Sequence, residues 1–185
     1  MKTKGKIYIV LIVVVIMMLL GIHVVKTFVY PLKYKEQIIK YSKSNNIDPY
    51  LILAIINTES KFNKDAVSNM KAKGLMQITK PTAEEINTIT KSTEQINDDT
   101  IYDVDVNLEI GCYYLASLIE KYNGNYYLAI CAYNAGMGNV DKWLEQSIIS
   151  SSLDTTDVVL PFNETTNYLK KVIKAYKMYK KIYFL

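Results

Sequence analysis

Polarity along this chain follows two patterns, one before and one after residue 25. Residues 7–25 read IYIVLIVVVIMMLLGIHVV, with no formal charge and His23 as the only strongly polar side chain. At ~1.5 Å per residue a helix over this run spans roughly 28 Å, close to the hydrocarbon thickness of a bilayer. Lys2, Lys4 and Lys6 precede it, which predicts that residues 1–6 stay in the cytoplasm while the rest is exported. Lys26, Lys33 and Lys35 follow the run, so the charge bias is small. A cleaved signal would have a shorter apolar core and small residues before the cut. Gly21-Ile22-His23-Val24-Val25-Lys26 offers no such site, and residues 7–25 read as a retained single-pass anchor with His23 at its outer interface.

Beyond the anchor the apolar positions recur at helical spacing. Residues 31–46 carry Leu32, Ile38, Ile39 and Tyr41 and predict a short helix. Asp48-Pro49 is a start signal for the next: aspartate accepts from free backbone N–H groups, and proline suits the first helical position. Residues 51–56 (LILAII) are apolar on every side, as in a core helix, and lead to Glu59 at its far end. Residues 61–73 are polar and predict an ordered loop, and residues 74–78 a strand or β-turn. A helix is expected over 81–89, capped by Thr79 or a neighbour, then a loop over 90–100. Residues 103–122 predict the longest helix of the domain, stopped by Gly124. Asn125 should cap a helix over 126–134, broken by Gly136 and Gly138, and 139–146 another with Trp143. Residues 147–160 lack periodicity and read as a mobile lip of a cleft. Asn163 or Glu164 opens the last helix, with Tyr168, Val172, Ala175 and Tyr179 on one face. Residues 26–185 therefore predict one mainly helical domain with at most a small β-hairpin, long enough to bury a core.

Composition narrows the function. The formal net charge is +4, and the basic residues are all lysine. Without arginine, bidentate reading of bases or phosphates is not available, which argues against a sequence-specific nucleic-acid binder. Cys112 and Cys131 sit in apolar helical patterns and read as buried free thiols, although an exported compartment would permit a bridge. Two cysteines and one distant histidine make no metal site, so neither metal nor cofactor is expected.

The candidates for chemistry are correspondingly few. The only histidine lies in the anchor, which leaves no Ser/His/Asp set, and no phosphate-binding glycine loop occurs. Carboxylates and hydrogen-bonding side chains remain, and these suit glycoside cleavage. Glu59, at the end of an apolar helix, can be held protonated near neutrality because desolvation disfavours its anion. The nearest carboxylates in sequence are Asp65, Asp103 and Asp105. Asp65 reads as a turn former and Asp103 as a helix cap.

Four short motifs carry a resemblance. Glu59-Ser60, Gly74-Leu75-Met76-Gln77-Ile78, Ala132-Tyr133-Asn134-Ala135-Gly136 and Asn167-Tyr168-Leu169-Lys170-Lys171-Val172 occur in the order seen in the soluble lytic transglycosylase family. The chain resembles that family over roughly residues 31–183, departing from it at Asn69-Met70-Lys71. The resemblance implies a goose-lysozyme-like fold (mainly α, α+β lysozyme-like) and a substrate, the glycan strands of peptidoglycan. It also implies a catalytic Glu59 that acts first as acid and then as base, leaving a 1,6-anhydromuramoyl end. By the same resemblance Ser60 and Gln77 bond near the acid or to the sugar, Met76 shapes an apolar wall, and Gly74 lets the backbone approach the glycan. Tyr133 and Asn134 would line the cleft, and Tyr168 would place its hydroxyl near Glu59 or an acetamido group. Two other readings stay open: a lysozyme-type muramidase that uses water, and a non-catalytic peptidoglycan-binding or scaffold domain.

Overall fold

The structure, a computed structural model, describes residues 2–90 and 99–185. It divides into two compact units, Met1–Lys33 and Tyr34–Leu185. In the first, helix α1 (Lys2–Val24) runs into a π-helical turn, Val25–Val29. Lys6–Val29 has a mean hydropathy of 3.0 and buries none of its length, so its aliphatic side chains are exposed on every side. By length and composition it can cross a membrane.

The second unit is built from helices; among the described residues there is no strand, and the only β-pairing is two isolated bridges, Val67 to Lys73 and Lys73 to Ile78. Helix α2 covers Lys35–Asn45, starting later than residue 31. The chain before it is not helical, and Tyr34 at its amino end takes a left-handed conformation (φ 55°) that sets the direction of entry. Helix α3 (Pro49–Glu59) begins as expected, with the Asp48 carboxylate accepting from Tyr50 N–H at 2.9 Å. Leu51 to Ile56 are all buried, so α3 is the central helix and packs along α8 (Asn163–Ile182).

Helix α4 is Lys80–Thr90, with Thr79 Oγ1 accepting from Thr82 N–H. Of the loop expected over 90–100, residues 91–98 lie outside the described residues, and Thr100–Tyr102 is a 3₁₀ turn. Helix α5 (Val104–Lys121) is capped by Asp103, which accepts from Asp105 and Val106 N–H. It is not the longest helix of the domain: α8 has 20 residues to its 18. The reason is that α8 keeps an apolar stripe through Tyr179 while lysines fill its opposite face, so nothing stops it earlier.

Helix α6 (Tyr126–Ala135) is capped by Asn125, which accepts from Tyr127 and Leu128 N–H. Gly136, at φ 83°, breaks it, and α7 (Met137–Glu145) starts at once. Gly138 lies inside α7 rather than between helices, because its backbone is ordinary helix and only Gly136 needs the positive φ. Residues 147–160 are irregular but anchored: Ile149, Leu153 and Leu160 are buried, and Asn125 Nδ2 donates to Ser151 O and Leu153 O at 3.0 Å each. Cys112 and Cys131 are buried free thiols, and burial pushes Cys131 up to about 12.

Candidate active site

Glu59 is the last residue of α3, and the chain turns away immediately after it. Lys61 and Phe62 both take left-handed backbone conformations (φ 51° and 62°), rare for such side chains, and Phe62 is buried to 2% exposure, which holds the turn. Ending the helix there leaves the Glu59 side chain facing a cavity of about 310 Å³ that it lines together with Thr58, Asn134, Glu164, Asn167, Tyr168 and Lys171. Tyr168, from α8, donates its O–H to Glu59 Oε1 at 2.6 Å.

Three effects act on the Glu59 proton. Burial raises its pKa most, the Tyr168 hydrogen bond lowers it, and the charge of Glu164 raises it, to about 7. The result is a carboxyl whose proton is held far more firmly than that of an ordinary glutamate. Burial and the neighbouring Glu59 charge hold the Tyr168 hydroxyl well above the usual tyrosine range, so it stays a donor.

A second cavity, of about 230 Å³, is lined by Gln77, Thr82, Tyr114, Tyr133 and Asn134 among others. Asn134 borders both cavities, so the two lie side by side along the end of α6. Thr165, buried to 1%, donates its hydroxyl proton to Asn134 Oδ1 at 2.7 Å. That contact fixes which end of the amide is the oxygen and orients the Nδ2 hydrogens, which no other group among the described residues engages, towards a ligand.

The 74–78 segment is a turn, closed by reciprocal backbone bonds between Lys73 and Ile78 at 3.0 Å. It is clamped from two helices. Asn107 of α5, with no exposed surface, accepts from Met76 N–H at 2.8 Å and donates to Lys73 O and Ile101 O at 3.0 Å each. Tyr133 of α6 donates its hydroxyl to Met76 O at 2.9 Å.

Of the residues expected at the site, Glu59, Asn134 and Tyr168 come together in one cavity, and Gln77, Tyr133 and Asn134 in its neighbour. Four expectations change in detail. The Met76 side chain has no exposed surface and packs against Gly111, so it forms core and no cleft wall; its backbone does the positioning. Gly74 is buried, and a Cβ there would collide with the Asn107 side-chain amide, so the close approach it allows is to Asn107. The Ser60 hydroxyl donates to Ile56 O one turn back, as serines at helix ends commonly do. Gln77 Nε2 is likewise engaged, with Ala66 O and Gly74 O.

The sequence reading missed Asn107, Glu164 and Thr165. The carboxylate that reaches Glu59 is Glu164, 105 positions away in the chain, whereas Asp103 caps α5 and Asp65 pairs with Lys64. The available signal for Asn107 was an amide between Val106 and Leu108 near the start of α5. Residues 147–160 line neither of the two cavities beside Glu59 and Asn134; Ser151 to Asp154 border a different one.

The family model of the transglycosylase SLT domain matches residues 36–152. The soluble lytic murein transglycosylase of Salmonella typhimurium is 32% identical over 152 residues, covering 81% of this chain and 23% of that protein. The membrane-bound lytic murein transglycosylase C of Edwardsiella ictaluri is 34% identical over 169 residues, covering 81% of this chain and 47% of its own length. Among solved structures, an inactive Glu-to-Gln mutant of the lytic transglycosylase of Pseudomonas aeruginosa matches with a TM-score of 0.72 and 30% identity, over 82% of this chain and 24% of that one. The chain thus spans about a quarter of the length of the soluble relatives and about half that of the membrane-bound one. The matched region takes in α2 to α7 and with them the Glu59 end of α3, the clamped turn and the close of α6; by that match and by its lysozyme-like helical fold, the chain belongs to the transglycosylase SLT domain family.

Proposed function

We propose that this protein cleaves the β-1,4 bond between N-acetylmuramic acid and N-acetylglucosamine in peptidoglycan, as a lytic transglycosylase, with Glu59 as its single acid and base. The observation that carries this reading is the buried Glu59 carboxyl, raised to about 7, facing a cavity with Tyr168 bonded to one of its oxygens. Tyr168 occupies Oε1, which leaves the other oxygen to carry the acidic proton. That proton goes to the glycosidic oxygen as the bond to the muramoyl C1 breaks. The carboxylate then takes the proton of the same sugar's C6 hydroxyl while that oxygen bonds to C1. No water is consumed, and Glu59 ends as it began, protonated.

Asn134, its amide oriented by Thr165, suits an acetamido carbonyl through its Nδ2 hydrogens. The expected result for Thr165→Val is a KM raised about tenfold, the loss of one oriented hydrogen bond. Thr165→Ser should restore it, since it keeps the hydroxyl. Steady-state kinetics on the three proteins checks this, and a Ser variant as impaired as the Val would remove the orienting role.

The Glu59 proton makes opposite predictions for its two neighbours. Tyr168 favours the anion and Glu164 disfavours it. The high-pH limb of kcat/KM, where the acid is lost, should therefore move up in Tyr168→Phe and down in Glu164→Gln. Shifts in the same direction would refute the assignment.

A muramidase reading is kept alive by Glu164, a second carboxylate on the same cavity, since water-using glycosidases work with two. Mass spectrometry of digested murein separates the two: anhydro ends, lighter by one water, support the transglycosylase, and reducing ends the hydrolase. We further infer that residues 7–25, within the apolar helix Lys6–Val29, anchor the protein in the cell membrane, with residues 1–6 cytoplasmic and the domain outside, on the strength of the exposed apolar surface and the lysines before it.

A further inference from the structure

We propose that the cavity at the amino-terminal end of α6 is a second saccharide-binding site, taking a segment of N-acetylhexosamine chain apart from the Glu59 cleft; the proposal rests on the glycan-cleaving reading above. At about 730 Å³ this cavity is more than twice the size of the one beside Glu59, and it shares no lining residue with either cavity of the candidate active site. Tyr127 and Asn134 are seven positions apart and so lie on one stripe of α6, about 10 Å apart along the axis. Between them on that stripe, Ile130 and Cys131 have no exposed surface. The two openings are therefore separate sites rather than ends of one groove.

The lining has the chemistry of a neutral, hydroxyl-rich ligand. Tyr126 and Tyr127 are half-buried, with ring centroids 4.7 Å apart, and offer a broad aromatic surface to the C–H face of a sugar. Burial and a hydrogen bond to Tyr126 hold Tyr127 up at about 12, so its hydroxyl stays neutral. Asp154 is exposed at the rim. Asp141 is already oriented, by Tyr122 O–H at 3.0 Å on one oxygen and Lys121 at 3.0 Å on the other. Carboxylates with free lone pairs accept from sugar hydroxyls. Two carboxylates against one lysine disfavour a phosphate or other polyanion. The wall is preformed, because Asn125 ties Ser151 and Leu153 to the start of α6.

The test uses the full chain in detergent micelles carrying Glu59→Gln, titrated with the β-1,4-linked N-acetylglucosamine tetramer and followed by calorimetry. Two binding events are expected. Tyr127→Ala and, independently, Asp154→Ala on its exposed loop should each weaken one event at least tenfold and spare the other. A single event that neither variant alters, or two events that neither alters, would overturn the second site while leaving the catalytic reading intact. No binding at all would overturn both.

Discussion

Glu59→Gln is expected to reduce cleavage of murein by about a thousandfold or more, the usual loss when a general acid is removed. Glutamine keeps the shape and the bond from Tyr168 but has no proton to give and none to reclaim. Binding of glycan should persist, which separates loss of chemistry from loss of the site. The same change should alter stability in a pH-dependent way. The folded-state pKa of Glu59, about 7, lies above its ordinary 4.5, so the neutral carboxyl is what the fold favours. Its contribution is fully present below pH 4.5 and is lost as pH rises through 7, amounting to about 3 kcal/mol for a shift of this size. Glutamine does not titrate. Relative to the parent protein, the variant should therefore gain up to about 3 kcal/mol between pH 4 and pH 8. Urea unfolding at the two pH values measures it, and equal differences at both would mean that Glu59 ionises freely in the folded state.

Asn107→Ala is expected to cost about 4 kcal/mol of stability. It strands the buried N–H of Met76 and the carbonyl of Ile101, each worth about 1–3 kcal/mol when left without a partner, whereas Lys73 O keeps its bond from Ile78 N–H. Asn107→Asp should do little better, since a carboxylate still accepts from Met76 but cannot donate to two carbonyl oxygens. Because Met76 O is also where Tyr133 bonds, loosening the turn releases Tyr133 at the cleft, and activity should fall with stability. Thermal unfolding and turnover measured on the same samples check both. An Asn107→Ala protein as stable as the parent would mean that Asn107 does not hold the turn.

The helices were largely legible because their signals are local. Asp48-Pro49, Asp103, Asn125 and Gly136 mark boundaries through backbone chemistry that needs no tertiary partner, and each lies at its expected boundary. The start of α2 was not, since Tyr34 has no residue-type signal for a left-handed conformation. At the candidate site, motif order singled out Glu59, Tyr168 and Asn134, which line one cavity. Burial decides the rest: Met76 and Ser60 look like cleft residues by position, yet one side chain packs inward and the other bonds its own helix. Glu164 and Thr165 act across more than thirty or a hundred positions, and no pattern in one chain expresses such a pairing.

The two sulfurs carry a consequence for oxidation. Thiolate is the species that oxidants and disulfide exchange require, and desolvation keeps both Cys112 and Cys131 un-ionised in the core. In the folded domain both thiols are therefore poor nucleophiles, and an oxidant has to open the core before it can reach either sulfur.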